Sequence, residues 1–94
     1  MLNNMSKSNL ENKFNMSCML VKTLVKPPSD KDLLYLYGMY KQATVGNCNA
    51  EEPSKFSLKQ HAKWEAWNMN KDIEKSVAMA FYIGKVDEIF VALN

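Results

Sequence analysis

Tyr37 and Lys41 lie four residues apart, with Tyr40 between them. On a helix, positions i and i+4 are neighbours, so one face would offer an aromatic ring, a hydroxyl and an ammonium together. An ammonium is a point charge suited to a phosphate, and tyrosine combines a flat apolar face with a polar tip. Lys63 is too distant in sequence to share that helix and must reach any common site from another element. Taken by spacing alone, Tyr37 and Tyr40 read as core or boundary residues and the lysines as solvated charges. His61 is the single histidine. It has the chemistry of an acid or base near neutral pH, and Cys48 with His61 is a conceivable nucleophile–base pair. No nucleophile motif surrounds either residue, however, and no ligand cluster accompanies them to make a metal site.

Four helices are predicted to position these residues. Phe14, Cys18, Val21 and Val25 recur at helical spacing and predict a helix from about Leu10 to Val25. Pro27-Pro28 ends it, because the residue before a proline is pushed out of the α region. Ser29 or Asp30 is the expected N-cap of a second helix, and Asp30 and Asp32 suit its positive end. Leu33, Leu36, Tyr37 and Tyr40 continue that helix, as do Met39 and Ala43, until Gly46-Asn47 stops it. The polar stretch from Asn47 to Leu58 carries Pro53 and reads as a loop. A short third helix is expected from about Lys59 to Met69. Trp64 and Trp67 share one face of it as packing anchors, at least one tying it to the second helix. Asp72 is the expected N-cap of a fourth helix reaching about Ala92. Its core stripe is read as Val77, Phe81, Val86, Ile89 and Leu93, with Ala78 and Tyr82 alongside. Strand signals are too scattered to compete. The expected fold is all-α, four helices with a long loop between the second and third. Residues 1–9, rich in Asn, Ser and Lys, are expected to form a mobile N-terminal tail ahead of one domain at 10–94.

Bulk properties narrow the function classes. The 94 residues are 47% hydrophobic and 23% charged, which suits one modest globular domain. The net charge is only +2, and all 12 Lys/Arg positions are lysine. Arginine forks are the commonest direct readers of guanine, so nucleic acid is not an expected partner. No apolar run approaches the roughly 20 residues of a membrane span, so no stable membrane insertion is expected. Cys18 and Cys48 do not make a disulfide framework, and a reducing, cytoplasmic setting is the simpler expectation.

Three blocks of the sequence resemble the acyl-CoA-binding protein family. They are Tyr37-Gly38-Met39-Tyr40-Lys41-Gln42-Ala43-Thr44-Val45-Gly46, then Ala62-Lys63-Trp64-Glu65-Ala66-Trp67-Asn68, then Ala78, Tyr82-Ile83 and Lys85-Val86. The similarity runs from about Phe14 to Phe90. The resemblance implies a four-helix bundle with an acyl-CoA groove on one side. It places Tyr37, Lys41 and Lys63 at the nucleotide's 3′-phosphate and adenine, and Tyr40 and Tyr82 among the aromatic residues lining the site. It also places Lys22 near the nucleotide, and Leu33 and Leu34 beside the adenine. Such a ligand joins a polyanion to a hydrocarbon chain, so its site needs cations at one end and apolar surface at the other. Each buried methylene contributes about 0.8 kcal/mol, which favours long chains over free CoA.

The sequence departs from the family pattern at several points. Glu52-Pro53-Ser54 stands where Arg-Pro-Gly is usual, Gln60-His61 where Gly-Lys is usual, and Asn47 where an Asp is usual. Glu74 replaces a serine that often caps the last helix, which would shift that role to Asp72.

The resemblance implies non-catalytic binding, buffering and intracellular transport of medium- and long-chain acyl-CoA esters. The chain would act as a monomer, with long-chain acyl-CoA as ligand, acyl-CoA-using enzymes as partners and no cofactor or metal. The competing expectation is an interaction or regulatory module on the same fold with weakened ligand binding.

Overall fold

The computed structural model describes the backbone of residues 2–93 and the side chains of residues 9–93. Among these the chain forms four helices: α1 (Leu2–Val21), α2 (Asp30–Thr44), α3 (Leu58–Asn68) and α4 (Lys75–Ala92). The expected all-α class holds. None of these helices is long and apolar enough to cross a membrane.

α1 differs from expectation at both ends. Its backbone is helical from Leu2, through most of the stretch expected as a tail. At the other end it stops at Val21, four residues short of Val25. The Thr23 hydroxyl donates to the Leu20 carbonyl (2.7 Å), and the Lys22 and Thr23 amides bond back to Met19 and Leu20. These i→i−3 bonds tighten and close the last turn. Val25 consequently leaves the helical stripe and is fully exposed, while Leu24 packs at the core's edge.

α2 begins where sequence places it. Ser29 Oγ accepts the Asp32 amide (3.2 Å) as an N-cap. At its far end the Val45 and Gly46 amides both bond to the Lys41 carbonyl, at 2.8 and 3.2 Å. Gly46 there takes φ 100°, a left-handed conformation that glycine adopts without strain.

α4 packs against α1 and α2, and α3 packs against α2. Asp32 near the start of α2 pairs with Lys85 late in α4, and Gln42 near the end of α2 bonds Ile73 just before α4, so these helices run antiparallel. α2 and α3 run parallel, because Tyr37 faces Lys63 and Lys41 faces Trp67. Parallel packing forces the chain to travel back about 22 Å, the length of a 15-residue helix, before α3 can start. That return is the physical reason for the long loop.

The core comprises Phe14, Leu36, Met39, Ala43, Ala78, Tyr82, Val86 and Ile89. On α4 this corrects the expected stripe: Ala78, Tyr82, Val86 and Ile89 are buried, whereas Val77, Phe81 and Leu93 are exposed. The helix is apolar over most of its circumference, so periodicity could not select the buried arc. Asp72 does not cap α4 either. It adopts φ 71° in the preceding turn, and Glu74 occupies the N-cap without a side-chain bond.

Candidate ligand-binding site

Two clefts meet on one side of the bundle. The larger, of about 640 Å³, lies between the first turns of α2 and α3; its walls include Asp30, Leu33, Leu34, Tyr37, Leu58, Lys59, Ala62 and Lys63. The second, of about 400 Å³, lies between the end of α1 and the face of α2, and its walls include Lys22, Leu24, Pro28, Leu33, Tyr37, Tyr40 and Tyr82. Leu33 and Tyr37 belong to both, so the clefts share a wall. The Lys63 ammonium sits 4.7 Å from the Tyr37 ring centroid at this junction. A cation over a ring face is held by the ring's quadrupole and keeps its donors free for an anion.

Seven of the eight residues expected at the site therefore line this paired groove: Lys22, Leu33, Leu34, Tyr37, Tyr40, Lys63 and Tyr82. Lys41 lies one α2 turn beyond, outside both walls, with its ammonium 4.7 Å from the Trp67 ring centroid. Tyr37 and Lys41 are one i,i+4 pair and Lys63 and Trp67 another. The parallel helices thus exchange cation and ring across two successive rungs.

Rigid packing supports the aromatic wall. Tyr82 is buried and meets Phe14 edge-on (centroids 5.1 Å apart) and Tyr40 at 6.3 Å, while Tyr40 stacks on Phe14 at 5.9 Å. Burial holds the Tyr82 hydroxyl well above its ordinary titration range, with the neighbouring Cys18 thiol adding to the shift. Burial likewise raises Cys18, opposed more weakly by a hydrogen bond with Tyr82 and by the charge of Lys22. Both groups stay protonated at neutral pH, so this wall is neutral and hydrogen-bonding rather than anionic.

The spacing of the two rungs depends on Gly38. A Cβ there would stand 2.1 Å from the Ala66 carbonyl oxygen, so only glycine lets α2 and α3 approach this closely. The far end of the pair is held by a buried amide. Gln42 Nε2 donates to Asn47 Oδ1 (2.9 Å) and to the Ile73 carbonyl (2.8 Å), and Asn47 bonds the Asp72 amide and carboxylate in turn.

α3 also fastens the long loop. Trp67 Nε1 donates to the Gly46 carbonyl (2.8 Å), tying α3 to the end of α2, and Trp64 Nε1 donates to the Ala50 carbonyl (2.9 Å). Both tryptophans serve as structural anchors. Two positions that depart from the family pattern pair with one another: His61 Nε2 lies 2.7 Å from Glu52, and its Nδ1 lies 3.1 Å from Glu65. His61 thereby cross-links the long loop to α3. Asn47 is a third departure, and its amide both accepts and donates, which an aspartate at that position could not do.

Sequence reasoning passed over several contributors. Leu58, Lys59 and Ala62 line the larger cleft, and Pro28 the smaller. Lys59 stands four residues before Lys63, a signal that spacing carried. Gly38 was visible as a glycine inside a helical pattern, which marks a close approach.

Comparison with known proteins identifies the family and its fold. The sequence model of the family described as Acyl CoA binding protein matches residues 11–86. "Diazepam-binding inhibitor-like 5" of Rattus norvegicus is 47% identical over 76 residues, covering 81% of this chain and 87% of that protein. An "Acyl-CoA-binding protein" of Gossypium hirsutum is 47% identical over 72 residues, covering 77% and 81%. Among solved structures, Acyl-CoA-Binding Protein 2 of Oryza sativa superposes with a TM-score of 0.90 at 38% identity, over 95% of this chain and 97% of that one. With the family model spanning residues 11–86, relatives at 47% identity and a shared fold, the chain belongs to the acyl-CoA-binding protein family.

Proposed function

We propose that this chain binds the CoA thioesters of medium- and long-chain fatty acids, buffers them and carries them through the cytoplasm as a monomer, without catalysing their turnover. The supporting observation is the Lys63 ammonium over the Tyr37 ring, at the junction of two clefts that also offer Leu33, Leu34 and Tyr40. In this reading Lys63, Lys41 and Lys22 supply cations to the nucleotide phosphates, and Tyr37 and Tyr40 offer ring faces to the adenine. The buried Tyr82 ring backs the wall, and Leu33 and Leu34 give the apolar lining. Charge-assisted bonds from ammonium to phosphate are about twice as strong as neutral ones. A site open to solvent along one side supports handing the ligand on to acyl-CoA-using enzymes.

Non-catalytic behaviour is favoured by what the reactive groups already do. The Cys48 thiol points to the Ala50 carbonyl (3.9 Å), and both His61 ring nitrogens face carboxylates. The Cys18 thiol, beside Tyr82, is held in its protonated, unreactive form by burial.

Calorimetric titration with CoA esters of graded chain length tests the reading. Affinity should rise with each added methylene, with free CoA and free fatty acid both binding far more weakly. Equal affinity for free CoA and a long-chain ester would sink it, and release of free CoA thiol during the titration would sink the non-catalytic part.

A further inference from the structure

Resting on the acyl-CoA reading above, we infer that protonation of His61 fastens the long loop to α3 and raises the affinity of the groove, so that His61 is a positioning residue coupling ligand binding to pH. Both ring nitrogens face carboxylates: Nε2 lies 2.7 Å from Glu52 of the loop, and Nδ1 lies 3.1 Å from Glu65, four residues further along α3. An imidazolium carries two N–H donors, whereas a neutral ring has one donor and one acceptor. With the ring neutral, one carboxylate would meet a lone pair at hydrogen-bond distance, and that contact must open. Glu65 is an i,i+4 neighbour kept in place by the helix itself. Glu52 lies on the loop, which gains chain freedom on release. The Glu52 contact is therefore the one that opens.

The loop is stitched to α3 at three points, each three residues apart along the helix. Trp67 Nε1 donates to the Gly46 carbonyl, Trp64 Nε1 donates to the Ala50 carbonyl, and His61 meets Glu52. The two indole bonds join neutral groups and are indifferent to pH. The His61–Glu52 stitch is the last before the chain turns into α3, and it contains the side chain whose charge changes between about pH 5 and 8. Glu52 and Glu65 are the charged groups paired with that ring, and the Trp64 ring lies beside it at 6.0 Å between centroids. α2, which packs against α3, contributes no ion pair to it among the described residues.

This stitch holds one wall of the groove. Five residues separate Glu52 from Leu58, and Leu58 and Lys59 line the larger cleft. The N-cap of α3, Ser57, makes no side-chain bond, so the first turn lacks the cap that would fix it independently. It leans instead on the preceding turn, where the Ser57 amide bonds the Ser54 carbonyl (3.0 Å) and the Phe56 amide bonds Ser54 Oγ (3.2 Å). Release of Glu52 frees this segment back to Ala50, and Leu58 and Lys59 lose their fixed place. The fastening is complete with the ring protonated and is lost as pH rises. The ring is largely covered but both glutamates are well exposed, so the effect is that of a partly solvated ion pair, about two- to fivefold in affinity.

Two measurements test the inference. In the ligand-free chain, NMR follows the His61 ring while hydrogen exchange reads the protection of the Ser57 and His61 amides, which bond the Ser54 and Ser57 carbonyls. Protection should be higher at about pH 5.5 than at about pH 8, following the charge of the ring. Glu52→Gln should abolish that difference while the ring still titrates. Calorimetric titration with a long-chain acyl-CoA over the same range reads the consequence. The ligand's own phosphate monoester changes charge near pH ~6, so each variant is compared with wild type at the same pH. The wild-type advantage over Glu52→Gln and over His61→Gln should be about two- to fivefold at the acid end and vanish at the alkaline end. Neither substituted residue lines the groove, and circular dichroism confirms that each variant is folded. The inference is overturned if amide protection ignores the charge of the ring, or if the wild-type advantage is the same at both ends of the range. Amides that switch with pH in a chain that binds no acyl-CoA at either end would instead overturn the ligand reading, and the coupling with it.

Discussion

Alanine at position 38 should loosen the helix pair that builds the groove. The added Cβ would lie 2.1 Å from the Ala66 carbonyl oxygen, 2.7 Å from its carbonyl carbon and 3.0 Å from Asn70 Nδ2. Two of these three atoms are backbone, so no rotamer change relieves the clash, and the helices must separate by about 1 Å. Overpacking costs about 1–3 kcal/mol, and a contact as close as 2.1 Å with backbone belongs to the upper part of that range, about 2–3 kcal/mol, while alanine's better helix propensity returns about 1 kcal/mol. The net expectation is a loss of about 1–2 kcal/mol in urea denaturation followed by circular dichroism. Gly84 supplies the control within the same chain. It lies inside α4 with nothing within 4 Å of an added Cβ, so Gly84→Ala should raise stability by up to about 1 kcal/mol. Separation of the helices would also shift Lys63 away from Tyr37. Gly38→Ala should therefore weaken long-chain acyl-CoA binding roughly tenfold, about 1.4 kcal/mol, with Gly84→Ala unchanged. A Gly38→Ala protein as stable as wild type, or one that binds equally well, would refute the claim that close approach of α2 and α3 shapes the site.

Two further outcomes follow from particular contacts. Asn47→Asp keeps the acceptor for Gln42 and the Asp72 amide but sets a carboxylate 3.3 Å from the Asp72 carboxylate. It should cost about 1 kcal/mol in denaturant unfolding, and Asp72→Asn in that background should recover most of the loss. Stability should also fall on the alkaline side. Tyr82 and Cys18, ordinarily at 10.0 and 9.0, both titrate higher when folded, chiefly through burial. The folded chain therefore holds protons that the unfolded chain has released, so this contribution is complete below about pH 9 and drains away as pH rises. Thermal melts at increasing pH should show Tm declining from about pH 9 upward, and Tyr82→Phe should flatten part of that decline. A wild-type Tm unchanged into strongly alkaline solution would contradict it.

Much of the fold was legible in the sequence because its punctuation is local. Ser29, Pro27-Pro28 and Gly46 act on the backbone within a turn of themselves, and α2 is bounded where they stand. The end of α1 was less legible, since the Thr23 hydroxyl closes the helix before the proline pair is reached. The buried arc of α4 was hidden for a different reason. Apolar residues surround most of that helix, and only its packing against both α1 and α2 selects Ala78, Tyr82, Val86 and Ile89. The Asp72 capping role failed because Asn47, 25 residues away, engages the Asp72 amide and carboxylate. In the site, Tyr37 with Lys41 was readable from i,i+4 spacing. The partnering of each with a residue on α3 was not, because the parallel arrangement of the two helices is a tertiary fact. The pairing of Glu52 with His61 was equally out of reach, as a nine-residue separation across a loop carries no periodic signal.

The most direct test of the site asks whether its lysines meet the nucleotide phosphate. A long-chain acyl-CoA and its 3′-dephospho counterpart are titrated calorimetrically into wild type, Lys41→Ala and Lys63→Ala. With the intact ligand, each substitution should cost about 1.5–3 kcal/mol, the value of a charge-assisted bond, and with the dephospho ligand that cost should largely vanish. Equal losses with both ligands, or no loss with either, would contradict the placement of the phosphate between α2 and α3.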